Sequence, residues 1–155
     1  MISKIIFHAS SQTIQNPQII KGFRTKDFGF GFYCTNLFLQ AKKWATRFKK
    51  NGFVNEYIYT ENTNLKILKF DEVNTNWLHF IMQCRAGENH NFDIVEGAMA
   101  DDQVYNYIQD YQDGNISETA LLELVKFRKP THQIVFCSEV ALQNIQFKNS
   151  HLIQY

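Results

Sequence analysis

The chain has little proline, little cysteine and no long run of apolar residues. It contains two prolines in 155 residues, and 45% of its residues are hydrophobic, which excludes a disordered or low-complexity protein. Its three cysteines, Cys34, Cys84 and Cys137, lie far apart, without a Cys-x-x-Cys pair or a histidine at metal-ligand spacing. The sequence therefore predicts neither a metal site nor a disulfide framework, and we expect a cytoplasmic, reducing location.

An excess of charge of one sign is also lacking. The formal net charge is +1, so no overall field attracts nucleic acid or a membrane surface. The apolar stretch at the N-terminus ends at His8, too short for a signal peptide, and no later stretch could span a bilayer, so we expect no membrane partner. One local cluster is basic, which on a helix is usually a solvated face; it comprises Lys42, Lys43, Arg47, Lys49 and Lys50.

Aromatic residues, in contrast, are abundant, and phenylalanine alone occurs 14 times. The length predicts one domain over residues 1–155 with a sizeable core. Strands and helices do not alternate as in a doubly wound sheet, and no Gly-x-Gly-x-x-Gly opens a helix after the first strand, so we predict an α+β fold. Periodicity predicts strands over 4–7, 28–35, 53–59, 65–70, 92–95, 133–137 and 145–148, and helices after 35, over 74–85, 103–112 and 117–127, and from 139.

The segment from Asp27 to Ala45 is the most informative part of the sequence. Gly29 and Gly31 alternate with phenylalanines ahead of Tyr33, so a strand here lacks side chains at two successive positions of one face. Such a gap indicates close approach by a ligand or by another backbone; an aromatic strand with glycines at a bulge explains it equally well. Thr35 is the expected N-cap of the following helix, whose apolar face comprises Leu37, Ala41, Trp44, Ala45 and Phe48.

Three elements of the chain together resemble the diphtheria-toxin-like ADP-ribosyltransferases, which include the poly(ADP-ribose) polymerases. Phe7-His8-Ala9-Ser10 is similar to their first-strand His-Gly-Ser, and residues 28–33 resemble their Phe-Gly-x-Gly-x-Tyr. Their second nicotinamide-stacking aromatic, eleven positions after the tyrosine, corresponds to Trp44. The resemblance implies a split β-sheet core with flanking helices, NAD as co-substrate, and an NAD site built from His8, Ala9, Ser10, Arg24, Gly31, Tyr33 and Trp44.

Most of the chain also resembles a narrower bacterial family, domain-of-unknown-function family 3990, which is regarded as ADP-ribosyltransferase-like. That likeness includes Arg24, the Gly97-x-x-Ala-Asp-Asp element and residues 132–139. Its members are suspected toxins that act beside small antitoxin-like partner proteins. Arg24 is a candidate ligand of the NAD pyrophosphate, since guanidinium binds phosphate bidentately.

Two positions depart from the polymerase-like pattern. Ala41 replaces the serine that binds the nicotinamide amide, and the late strand begins with His132 and Gln133 where a glutamate is usual. The resemblance thus implies His8, Tyr33 and Gln133 as the catalytic set. A glutamine accepts a hydrogen bond from a ribose hydroxyl but supplies neither a general base nor a negative charge. Asp101 and Asp102 are either auxiliary carboxylates or a helix-capping pair.

We therefore predict a mono-ADP-ribosyltransferase that modifies a protein or a nucleic acid and is the toxin of a toxin-antitoxin pair. The alternative is an inactive member of the fold whose cleft binds a nucleotide, a nucleic acid end or a partner protein, in which case the basic cluster contacts phosphates. A third interpretation, transfer acting on an RNA 2′-phosphate, requires further basic residues that the sequence does not identify.

Overall fold

The computed structural model describes residues 1–22 and 26–155. In this part of the chain seven strands form two sheets, and five helices accompany them. The strands are β1 (Ser3–Ser10), β2 (Phe32–Cys34), β3 (Gly52–Thr60), β4 (Ile67–Lys69), β5 (Ile94–Gly97), β6 (Gln133–Phe136) and β7 (Ile145–Ile153). The helices are α1 (Phe38–Ala45), α2 (Thr75–Arg85), α3 (Asp102–Gln112), α4 (Glu118–Lys126) and α5 (Glu139–Leu142).

The two sheets differ in size and strand order. The first has the order β1-β3-β7 and is antiparallel, while the second has the order β2-β6-β5-β4 with a parallel β4–β5 pair at one edge. A two-way backbone bridge between Phe7 and Thr35 connects them, with N···O distances of 2.8 and 2.9 Å. The α+β prediction is confirmed at this level.

Apolar side chains cover both faces of the four-stranded sheet. One cluster, which includes Phe28, Trp77 and Leu121, packs α2, α3 and α4 against the face that carries Val95 and Val135. A second cluster, which includes Ile6 and Tyr57, lies between the two sheets and covers the opposite face. Alternation along β6 explains this division, because successive side chains of a strand point to opposite faces.

The structure corrects the predicted strand lengths. β1 continues beyond His8 to Ser10, because it pairs with β3 along its whole length. The predicted strand over 28–35 is wrong for its first half: Gly29 adopts φ +82°, a left-handed conformation that turns the chain. Only residues 32–34 pair as a strand there, whereas β7 extends five residues past the predicted end at 148.

The predicted start and apolar face of α1 also need correction. Leu37, not Thr35, is the N-cap residue, and the Thr35 hydroxyl instead accepts from the Leu37 backbone N–H at 3.1 Å. Ala41 is the buried residue of the helix, whereas Trp44 is 41% exposed and Phe48, beyond the helix end, is 73% exposed. The two aromatic members of the predicted apolar face, Trp44 and Phe48, are therefore exposed instead of forming core. Among the described residues no helix is long and apolar enough to cross a membrane.

Candidate functional site

His8 and Tyr33 are brought together by the junction of the two sheets. The His8 side chain lies on the neighbouring Phe32 ring, with centroids 4.1 Å apart, and its Nδ1 is 2.6 Å from the Tyr33 carbonyl oxygen. A carbonyl only accepts, so Nδ1 carries the proton and Nε2 presents a lone pair. Burial lowers the pKa of His8 to about 4, and nearby Lys26 acts in the same direction. The imidazole is therefore neutral at physiological pH.

The Tyr33 hydroxyl closes the loop that precedes its own strand. It donates to the Gly29 carbonyl at 2.5 Å and accepts from the Phe28 backbone N–H at 3.1 Å. Burial raises the pKa of Tyr33 well above its usual range. The hydroxyl is consequently a fixed structural group, and the ring is the part of Tyr33 available to a ligand.

A cation lies over each of the rings of Tyr33 and Trp44. The Lys26 ammonium lies 4.9 Å from the centroid of the Tyr33 ring, and the Arg47 guanidinium lies 4.3 Å from that of Trp44. Arg47 is also close enough to Lys26 to lower the pKa of that lysine, after the larger effect of burial. Each of the two aromatic residues that the resemblance pairs thus has a ring face that holds a cation.

Gln133 begins β6 and lies on the same face of the sheet as Tyr33, since Tyr33 pairs with Val135 two residues further on. Its side chain is nearly fully buried, and its amide nitrogen donates to Asp27 Oδ2 at 3.1 Å and to the Ala98 carbonyl at 3.2 Å. The amide oxygen has no hydrogen-bond partner among the residues that the structure describes. Gln133 is held in place through its nitrogen, which leaves its oxygen as the acceptor.

Asp27 is the centre of a buried polar cluster behind Gln133. Arg85 donates to Oδ1 through Nε at 2.9 Å and Nη2 at 2.5 Å, and the Ala100 backbone N–H donates to Oδ2 at 2.7 Å. Arg85 also donates to the Ala100 carbonyl at 2.9 Å. These bonds tie the loop before Tyr33 to α2 and to the segment between β5 and α3.

The motif glycines are explained by the protein's own packing. A Cβ at Gly31 would lie 2.6 Å from Val135 Cγ1 and 2.7 Å from the Phe136 carbonyl oxygen, so β6 excludes any side chain there. Gly29 is required by its positive φ. Of the two explanations for the glycine spacing, close approach of another backbone is the one the structure shows.

The remaining predicted residues have varied positions. Ala9 of β1 pairs with Val54 of β3, and the Ser10 hydroxyl accepts from the Gln12 backbone N–H at 3.3 Å. Arg24 lies outside the described residues. Asp101 caps α3 by accepting from the Val104 N–H at 3.0 Å and also pairs with Arg128, which favours the capping interpretation over an auxiliary carboxylate.

Comparison of the sequence with known protein families gives a match. Over residues 4–147 the sequence matches the family described as "Protein of unknown function (DUF3990)". The chain belongs to this family. The matched range runs from β1 into β7 and so includes every predicted site residue. Neither the curated proteins nor the solved structures gave a significant match.

Several residues of the site were not predicted from the sequence. Lys26 and Arg47 face the two rings, and Arg85 supports Asp27; only their proximity in space identifies them. A further pair joins Glu96 to His132, with Oε1 and Nε2 2.8 Å apart, and this bond lowers the pKa of Glu96. Glu96 pairs with Ile134 in the sheet and therefore points to the face opposite Gln133, where it does not replace the missing glutamate.

Proposed function

We propose that this member of the family is an NAD-dependent mono-ADP-ribosyltransferase. The observation that carries the proposal is that the ring faces of Tyr33 and Trp44 each hold a cation, with a neutral His8 bonded to the Tyr33 carbonyl. In the resembling enzymes these are the residues that hold nicotinamide and its ribose. Here they come from β1, β2 and α1, and His8 bonds to the Tyr33 carbonyl near the bridge between the two sheets.

The two rings suit the charge of the proposed ligand. The nicotinamide ring of NAD is a cation, and cations bind over the faces of Tyr and Trp rings. Lys26 and Arg47 already occupy such positions, which supports the capacity of these faces to hold positive charge. Binding of nicotinamide then requires both side chains to move aside. Both residues keep much of their surface exposed to solvent, although partial burial lowers the pKa of each.

His8 and Gln133 supply acceptors for ribose hydroxyls. With Nδ1–H bound to the Tyr33 carbonyl, the Nε2 lone pair of His8 accepts a hydroxyl proton without any change in charge. Gln133 offers its amide oxygen, oriented by the bonds of its nitrogen to Asp27 and Ala98. Both residues position the sugar, and neither carries a negative charge toward it.

Bound NAD supplies an activated C–N glycosidic bond: the bond from ribose to nicotinamide breaks, nicotinamide leaves, and an acceptor nucleophile bonds to the same carbon. Gln133 does not take a proton from that nucleophile, because an amide is not a base at neutral pH. We therefore expect transfer of one ADP-ribose unit to a nucleophile that already lacks its acidic proton at neutral pH. Repeated transfer to sugar hydroxyls is not expected.

A second candidate is a member of the fold that binds NAD or a partner without turnover. The extensive bonding around Gln133 favours it, since Asp27 and Gln133 are both used to hold the loop before Tyr33. The toxin role and the small antitoxin-like partner remain part of the proposal. Growth of cells that carry the gene under an inducible promoter, compared with and without inducer, tests the toxin role independently of the chemistry.

Release of nicotinamide from NAD, together with calorimetric binding of NAD, tests both candidates. Trp44→Ala removes one ring at an exposed position, and Phe127→Ala, at a position 88% exposed on another helix end, is its control. The proposal expects release that falls at least tenfold in Trp44→Ala and is unchanged in Phe127→Ala. Binding without release supports the second candidate, and absence of both refutes the NAD site.

A further inference from the structure

The basic cluster at α1 is the most uneven charge feature of the molecule. No aspartate or glutamate occurs between Asp27 and Glu56, while five lysines and arginines fall in that interval. All five are exposed, and none forms an ion pair with a carboxylate of the described residues. We call residues 42–50 the basic ridge.

Exposed aromatic rings lie among these cations. The Arg47 guanidinium lies 4.3 Å from the Trp44 ring centroid and 4.7 Å from that of Phe48, so one cation contacts both rings. Trp44 is 41% and Phe48 73% exposed, although large rings normally bury their surface. Unpaired cations interleaved with exposed rings are the surface that binds single-stranded nucleic acid, by phosphate contacts and base stacking.

A similar segment elsewhere in the chain is arranged differently. Residues 126–129 read Lys-Phe-Arg-Lys, also basic with one exposed ring. There, however, Lys126 pairs with Glu123 and Arg128 with Asp101. A basic segment with an exposed ring can thus have its cations paired with carboxylates. The cations of the basic ridge differ because none of them pairs with a carboxylate of the described residues.

We infer that the basic ridge binds single-stranded nucleic acid and presents it as the ADP-ribose acceptor to the proposed nicotinamide site at Tyr33 and Trp44. The binding stands on the ridge itself, while the acceptor role rests on the proposed function. Trp44 belongs both to the basic ridge and to the proposed nicotinamide site, and the Arg47 guanidinium lies over its ring. A strand that stacks on Trp44 therefore lies at one wall of the proposed nicotinamide site.

The chemistry of the site agrees with such an acceptor. An oxygen or nitrogen of the nucleic acid bonds to the ribose carbon as its bond to nicotinamide breaks, and any proton of the nucleophile passes to solvent. No oxidant or further reactant is needed. A terminal phosphate oxygen is well suited, because it is largely deprotonated at neutral pH and needs no general base, which Gln133 does not supply.

Binding is measured first, without NAD, by the anisotropy of labelled oligothymidine and oligouridine of about 12 nucleotides, a length within the usual single-strand site sizes. Five phosphate contacts predict a fall in affinity of roughly a hundredfold between 50 and 200 mM salt. Trp44→Ala should weaken binding by roughly five- to a hundredfold, as loss of one stacked base does. Trp44 fluorescence reports the contact directly, because the only other tryptophan, Trp77, is fully buried.

The double variant Lys42→Gln/Lys43→Gln should make the plot of log affinity against log salt concentration less steep, by roughly 1.4 in slope. The matched control, Lys126→Gln/Lys129→Gln, should leave that slope unchanged. Equal binding of a polyglutamate of the same charge, or no effect of the Trp44 and Lys42/Lys43 variants, overturns the inference in favour of an acidic protein or of no ligand. Mass spectrometry of the oligonucleotide after addition of NAD, with and without a 5′-phosphate, then tests the acceptor role. If nicotinamide is released from NAD but the oligonucleotide stays unmodified, only the acceptor role is overturned. If the oligonucleotide binds but no nicotinamide is released from NAD, the proposed function is overturned while the binding stands.

Discussion

The amide nitrogen of Gln133 donates to the Asp27 carboxylate, with Nε2 3.1 Å from Oδ2. Asp27 precedes the loop that leads to Tyr33, and Gln133 begins the strand that pairs with β2. One hydrogen bond thus joins the loop and the strand on which the proposed nicotinamide and ribose contacts depend.

Replacement of Asp27 should be among the most destabilising changes in the chain. Asp27→Asn removes the buried negative charge that accepts two hydrogen bonds from Arg85, whose guanidinium stays positive. We expect a loss of about 3–5 kcal/mol in the free energy of unfolding, measured by urea titration. Glu123→Gln breaks the exposed pair with Lys126 and should cost less than about 1 kcal/mol. Equal losses for the two variants would contradict a supporting role for Asp27.

Gln133→Glu should be destabilising in a pH-dependent manner. The introduced carboxyl would lie about 3 Å from Asp27, and two like charges so close raise the pKa of the new glutamate. A group whose folded pKa is raised loses stabilisation as pH rises above its unfolded pKa of about 4.3. The melting temperature of the variant relative to the parent should fall between about pH 4.5 and pH 8.

Gln18→Glu, which adds the same charge at an exposed position, serves as the control for this experiment. Its melting temperature should follow that of the parent at each pH. A gain in nicotinamide release by Gln133→Glu, at a pH where the variant is folded, would support Gln133 as the third member of the catalytic set. A pH-independent difference in stability would show that the new carboxyl does not meet Asp27.

Gly31→Ala should distort the strand pair that carries Tyr33. The added Cβ would lie within 2.7 Å of β6 atoms on two residues, and backbone does not yield as a flexible side chain does. We expect a loss of about 1–3 kcal/mol in urea titration. Gly22→Ala is the matched control: a Cβ there meets no atom of the described residues within 4 Å, apart from its chain neighbours, so its effect should stay within about 0.5 kcal/mol.

His8 should destabilise the fold when it is forced to ionise. Its pKa is depressed to about 4 from an unfolded value of about 6.5, so its contribution is complete above pH 6.5 and is lost as pH falls toward 4. The loss corresponds to roughly 3 kcal/mol. The acid slope should diminish in His8→Asn and persist in His79→Asn, where the replaced side chain is half exposed. An NMR titration of the His8 ring with a midpoint near 6.5 would contradict this.

The sequence predicted most elements of the fold because their signals are local. The helices predicted over 74–85 and 117–127 needed only periodicity, and the structure shows both, at Thr75–Arg85 and Glu118–Lys126. The segment before Tyr33 was misjudged because its turn depends on the conformation of Gly29 and on bonds from distant Arg85 and Ala100.

The site was predictable only as a set of types and spacings. His8, Tyr33 and Trp44 could be named from their motif, but their proximity depends on which strands are neighbours. Lys26 and Arg47 looked like ordinary solvated cations, because no sequence pattern shows that they lie over those rings. Gln133 was named from its place at the start of β6, while its bond to Asp27 joins residues 106 positions apart.

The pairing of β3 with β7 has a consequence for how the chain folds. The central strand of the three-stranded sheet, residues 52–60, takes its second partner from residues 145–153, after every other element has been made. Contacts so far apart in sequence form late and slow folding. Until they form, β3 keeps one open edge, and the sheet that bears His8 lacks a strand. During synthesis, therefore, the sheet that bears His8 should be complete only after residues 145–153 have been made, and chains that lack them should be the form most prone to aggregate.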